Sequence, residues 1–212
     1  MVLNGLYPHE LEPVEPYADA ADFLYIGEYR FAKGIDTLLS AMAMLAKNGQ
    51  RRASLVLVGQ GPDEKALRAQ VLTLGLDGQV HFRKPMAARE AFRLARTMVV
   101  PSRFESMPYV VIEAAGARMP LISTDVGGIS EIFGKESGRL IPSDNVVALT
   151  AAMQDAMTRP RYEQMMPAMR LQAYIDENFS VAKMATTVLA AYAEAADRRK
   201  DRHGHFITSK AG

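Results

Sequence analysis

The chain has 212 residues, 49% of them hydrophobic, a formal net charge of +1 and no cysteine. That length and apolar fraction suit one large core over two small domains, and interspersed charges of both signs give no case for a nucleic-acid surface. Without thiols there are no disulfides, cysteine metal sites or thiol nucleophiles, which fits a reducing cytoplasm. The start, MVLNGLYPHELEPVEPY, has no basic-then-apolar leader pattern and no apolar stretch reaches the length of a membrane span, so a soluble protein is expected.

Residues 1–20 place Pro8, Pro13 and Pro16 among Glu10, Glu12 and Glu15 and read as an extended linker, because each proline biases its predecessor away from helix. From Ala21 onward short apolar runs alternate with amphipathic segments. Strands are predicted at 23–27, 54–59, 80–82, 98–100, 121–124 and 138–141, and helices at 34–47, 63–74, 89–96, 108–117, 130–133, 146–157, 160–177 and 181–198. The alternation implies the α/β class: a Rossmann-like parallel sheet of about six strands with helices on both faces. In such sheets ligands bind beyond the carboxyl ends of the strands.

The loop after the first strand carries Arg30 and Lys33 just before a helix, where the dipole favours acids. They are therefore candidate phosphate ligands; two solvated loop cations are the alternative. After the second strand, Gly59-Gln60-Gly61 suggests a dinucleotide loop, but the third glycine of that pattern would fall at Glu64, which disfavours a nicotinamide site. A tight turn explains each glycine equally well. The third strand ends in Phe82-Arg83-Lys84.

The stretch PSRFESMPYVVIEAAGARMPLISTDVGG, residues 101–128, concentrates the remaining candidates. Glu105 lies in a loop and Glu113 in a helix apolar on all sides, where a carboxylate is costly to bury without a donor. They can lie no more than roughly 12 Å apart if the segment is helical throughout, which suits the two ends of one elongated polar ligand. Ser106 is a plausible cap, and the amides of Ser106, Met107 and Tyr109 around Pro108 would form an anion-binding helix start. The alternative is that Ser106 only caps, Glu105 is solvated and Glu113 pairs with a basic residue such as Arg118. Gly127 and Gly128 precede another helix, which Glu131 enters, and could offer backbone donors or form a simple turn.

Glu105 and Glu113 reproduce the E-x7-E pattern, and PSRFESMPYVVIEA with TDVGGISEI resembles the retaining GT-B glycosyltransferases of group 1, glycosyltransferase family 4. The likeness runs from about Asn4 to Ala195 and covers that family's donor-binding, C-terminal half. It implies residues 1–20 as an interdomain linker, 21–197 as a nucleotide-sugar-binding domain and 198–212 as a polar tail, with the acceptor-binding N-terminal half outside this chain. It further implies that Glu113 meets the ribose diol and Glu105 a donor-sugar hydroxyl. The amides near Ser106 to Tyr109, with Arg30 and Lys33, would hold the diphosphate. Gly59 and Gly61 would let the nucleotide approach, Phe82 and Arg83 would border the base, and Gly127 and Gly128 would face phosphate or sugar.

This sequence departs from the family pattern at Glu28, where an arginine is usual, and at Arg83, where a small residue is usual. The first shifts the arginine role to Arg30, and the second leaves the base open. No D-x-D pair occurs, and the cations and helix start can offset leaving-group charge, so neither metal nor other cofactor is expected. The expected activity is hexosyl transfer from a nucleotide-diphospho-sugar to a glycan, lipid or small molecule. An epimerase or phosphorylase of the same architecture and a non-catalytic binding module are the alternatives. The run Arg198, Arg199, Lys200 and Arg202 reads as a solvated tail, with contact to the inner face of a membrane as a minority reading.

Overall fold

Five aliphatic runs form one parallel sheet in a computed structural model that describes residues 5–47, 52–190 and 192. The strands are β1 (Ala21–Ile26), β2 (Leu55–Val58), β3 (Val80–Arg83), β4 (Ala95–Val100) and β5 (Leu121–Ser123), in the order β3-β2-β1-β4-β5. Successive side chains of a strand point to opposite faces, so each strand feeds two cores. Phe23, Tyr25, Leu55, Leu57 and Val99 are buried on one face beneath α1 (Ile35–Lys47), α2 (Glu64–Thr73) and α6 (Val146–Thr158). Leu24, Val56, Val58, Met98 and Val100 are buried on the other beneath α3 (Ala88–Phe92), α4 (Tyr109–Gly116), α5 (Ile129–Phe133) and α7 (Arg161–Asn178). This is the expected α/β architecture, with five strands among the described residues instead of about six.

The missing strand has a local cause. Residues 134–139 wind into a 3-10 turn and Pro142 has no N–H to donate, which leaves a single bridge between Thr124 and Ile141. β4 begins earlier than expected, taking residues 95 and 96 from a predicted helix and Thr97 from the gap after it. Ala95 and Thr97 pair in register with Ala21 and Phe23 of β1, so sheet pairing overrides local helical preference and α3 stops at Phe92.

Residues 5–20 are strapped to the domain. Leu6 is fully buried; its N–H donates to the Phe179 carbonyl at 2.6 Å and its carbonyl accepts from Val181 N–H at 3.0 Å. Pro8–Leu11 form a 3-10 turn against α4, and Val14 and Tyr17 N–H donate to the carbonyls of Ala117 and Arg93. Arg89 fixes the same stretch by donating to the carbonyls of Glu10 and Glu12 at 3.0 Å. Residues 181–190 are helical, as expected; the end of that predicted helix, Asn4 and the basic run from Arg198 lie outside the described residues. No helix among the described residues is long and apolar enough to cross a membrane.

Candidate functional site

The strand order reverses direction between β1 and β4, so the loops leaving their carboxyl ends lead to helices on opposite faces, the position at which such sheets bind ligands. Those two loops carry Lys33 and Glu105. Gly34 takes a left-handed conformation (φ +65°), and a Cβ there would stand 2.0 Å from the Pro101 carbonyl oxygen. Only glycine allows the β1 loop to lie this close against the β4 loop. Lys33 Nζ consequently reaches both carboxylate oxygens of Glu105 at 2.8 Å. Buried Ser102 donates its hydroxyl to Glu105 Oε1 at 2.7 Å, and its own carbonyl accepts from Thr124 Oγ1 at 2.7 Å. The Glu105 side chain is 9% exposed and that of Lys33 27%.

Gly127 closes on the same loop from the other side. At φ +54° its absent Cβ would lie 1.7 Å from the Glu105 carbonyl oxygen, and Gly128 N–H donates to the Ser106 carbonyl at 2.7 Å. The glycine pair, expected to offer donors to a ligand, thus binds the Glu105–Ser106 backbone, and the Gly128 donor is already committed. Ser106 does not cap α4. The helix begins at Tyr109 with Pro108 as its N-cap residue in an extended conformation (φ −72°, ψ 111°) and no side-chain cap, because the proline ring carries no acceptor atom. Of the first-turn N–H groups, which carry the positive end of the helix dipole, that of Val111 already donates to the Pro108 carbonyl at 3.1 Å. Met107 packs beside Gly128, and Tyr109 is on the surface.

Glu113 is half-buried among Val111, Ile112, Ala114 and Ala115, on the side of α4 that faces the N-terminal 3-10 turn. Burial, and then the nearby charge of Glu10, hold its pKa above the ordinary carboxylate value. The phenol of Tyr109 is raised by burial first and then by Glu10 and Glu113. Arg118 does not pair with Glu113; its Nε donates to Gln172 Oε1. Among the described residues no cation pairs with Glu113.

The remaining candidates lie around the ends of β1, β2 and β3. Arg30 is exposed and paired with Glu28 at 2.8 Å. A cavity of about 420 Å³ is lined by Gly27, Glu28, Gly59, Gln60, Gly61 and Met86, among others, and not by Arg30, Lys33, Glu105 or Glu113. A Cβ on Gly59 would lie 1.9 Å from the Gly27 carbonyl oxygen and one on Gly61 2.3 Å from that of Tyr29, so the glycines let two protein loops meet to form the cavity wall. Phe82 stands edge-on to Tyr29, with the Arg68 guanidinium 4.1 Å above its ring. Arg83 is exposed and its carbonyl accepts from Gly59 N–H. The β1 and β4 loops therefore unite Lys33 with Glu105 and leave Arg30 and Glu113 in separate surroundings.

The family profile described as "Glycosyl transferases group 1" matches residues 10–172. The D-inositol 3-phosphate glycosyltransferase of Gordonia bronchialis is 32% identical over 184 residues, 81% of this chain and 40% of that protein. The chain spans less than half the length of the curated relatives it matches. Among solved structures, Anabaena HepE in complex with UDP superposes with a TM-score of 0.79 over 90% of this chain and 56% of that one, at 18% identity. The C-terminal domain of a group 1 protein, LpcC of Francisella tularensis, gives 0.70 over 84% of this chain and all of that one, also at 18% identity. The shared sheet is that of a GT-B glycosyltransferase half, and the match over residues 10–172 makes this chain a member of the group 1 glycosyltransferase family.

Proposed function

We propose that the chain binds a nucleotide-diphospho-sugar and serves as the donor-binding half of a retaining glycosyltransferase. The observation that supports this most is the Lys33–Glu105 pair, held at the strand-order reversal beside the open start of α4. Lys33 and the first-turn amides of α4 would hold the diphosphate, with Arg30 joining after leaving Glu28. Glu105 would accept a hydroxyl of the donor sugar, and Glu113 the ribose diol. In transfer, the bond between the anomeric carbon and the phosphate oxygen breaks and the diphosphate leaves against these positive groups. The acceptor hydroxyl oxygen bonds to the same face, and its proton passes to the departing phosphate. The acceptor would come from a cleft whose other wall is a further domain, in keeping with relatives of which this chain covers 33% to 40%. Fixed cations and amides offset the leaving-group charge in this scheme, so donor binding is expected to persist in a chelator.

Calorimetry with UDP-glucose, GDP-mannose and ADP-glucose tests the reading. Binding of at least one, weakened by Glu113→Ala, is expected, with no sugar transfer by the chain alone. Equal heats from wild type and variant would remove Glu113 from the site, and robust turnover by the isolated chain would contradict the need for a second wall.

A further inference from the structure

Two residues before Glu105, Arg103 has a side chain only 8% exposed although it belongs to a loop. Every N–H of its guanidinium is engaged. Nε donates to Asp144 Oδ1 at 2.7 Å. Nη1 donates to Asp36 Oδ1 at 2.7 Å and to the Phe31 carbonyl at 2.6 Å. Nη2 donates to Asp36 Oδ2 at 2.8 Å and to Thr37 Oγ1 at 3.0 Å. The Phe31 ring lies 4.1 Å from the guanidinium carbon, and Arg103 N–H donates to the Ala32 carbonyl at 2.8 Å. A guanidinium has five N–H donors, so none remains for a ligand.

What these bonds join is the β1 loop just ahead of Lys33, the first turn of α1, the β4 loop just ahead of Glu105 and the turn that leads into α6. Asp144 reaches the cluster from a left-handed backbone (φ +54°) and also accepts from Thr37 Oγ1. We infer that Arg103 is a positioning residue for donor binding: it sets the spacing of Lys33 and Glu105 by clasping the loops that carry them. This rests on the donor-binding reading above. The chemistry calls for arginine in particular, because the flat fork spans both oxygens of Asp36 while its edge serves Asp144. A lysine keeps the charge but offers neither the fork nor enough donors. Asp36 and Asp144 would then face each other with one compact cation between them, and the β1 loop would lose its side-chain tie.

The test compares Arg103→Lys and Asp144→Asn with wild type by residue-resolved amide hydrogen exchange and by calorimetry with UDP-glucose, GDP-mannose and ADP-glucose. Protection at residues 31–34 and 103–105 is expected to fall in both variants while β1 and β4 keep theirs. Affinity for the donor that wild type binds is expected to fall roughly tenfold or more. In a Lys33→Ala background Arg103→Lys should cost less affinity than it does alone, because one of the two groups it spaces is gone. Unchanged exchange in these loops, a parallel loss of protection across the whole sheet, or full additivity with Lys33→Ala would overturn the inference. If wild type binds none of the three donors, the donor reading fails on that result alone. The ligand-free exchange pattern then decides whether Arg103 clasps the loops.

Discussion

Glu105 and Glu113 belong to one segment and meet opposite surroundings. Glu105 is almost covered, yet it has a lysine on both oxygens and a serine hydroxyl, and its own backbone is gripped by Gly127 and Gly128. Glu113 is more open, but its neighbour is a second acid, and no cation among the described residues answers it. A fully satisfied carboxylate is preorganised, so it can orient a sugar hydroxyl without moving. An acid that is partly desolvated and repelled favours any ligand that brings hydroxyl donors, because those donors supply what the protein withholds. The contrast separates a rigid end of the proposed site from a donor-poor one.

The rigid end is the easier to break. Gly127→Ala would drive a Cβ into the Glu105 carbonyl at a left-handed backbone position. The expected loss is about 3 kcal/mol in denaturant unfolding, together with the donor affinity that depends on Glu105. A loss below about 1 kcal/mol would mean that the loop relaxes freely and is not rigid at all. Lys33→Ala leaves Glu105 with Ser102 alone, an expected cost of about 1–2 kcal/mol in stability. Donor affinity should fall roughly tenfold to a hundredfold, since a charge-assisted contact to phosphate is lost as well.

The donor-poor end should respond differently. Glu113→Gln removes a charge that burial and Glu10 disfavour, so stability should hold or rise while donor affinity falls about tenfold. The pH dependence follows from the same direction. Because the folded-state pKa of Glu113 is raised, the folded protein binds more protons than the unfolded chain between the ordinary carboxylate value and the raised one. Stability therefore declines as pH rises through that window, and Glu113→Gln should flatten the decline. Affinity for the ribose should run the other way, growing as Glu113 ionises. Glu10→Gln removes the repulsion and lowers the pKa, so variant and wild type should differ on the acid side and converge at higher pH. Identical titrations would place Glu10 too far away to matter.

Much of the fold was legible because buried parallel strands are short apolar runs punctuated by glycine, proline or charge, as at residues 55–58 and 121–123. The sixth strand was misread because Leu140 and Ile141 share that composition, and the preceding 3-10 turn and the following Pro142 deny them a ladder. Lys33 and Glu105 could be named singly from their loops, but their pairing depends on Gly34 meeting Pro101, a contact between distant positions. Ser102 and Arg103 gave no signal at all, since a loop serine and a loop arginine look solvated until the acceptors of two other segments are in place. Glu10 was hidden in a stretch read as linker. The glycine pair at 127–128 read as a source of donors for a ligand or as a simple turn, whereas its lack of side chains serves the close approach of the protein's own backbone.

Glu28 offers the smallest perturbation and the one with a favourable sign. It lines the cavity beyond β1 and β2 and holds Arg30 at 2.8 Å. Both members of this pair are largely exposed, so their bond contributes little to stability, and breaking it should leave unfolding unchanged. Glu28→Gln removes a negative charge from the path of an anionic diphosphate and frees Arg30 at the same time. Donor affinity should therefore increase, by about threefold given how weakly exposed charges act. The gain should shrink with added salt and vanish when Arg30→Ala is combined with it. A gain that survives in the double variant would come from the lost acid alone, and Arg30 would then have no part in holding the phosphates.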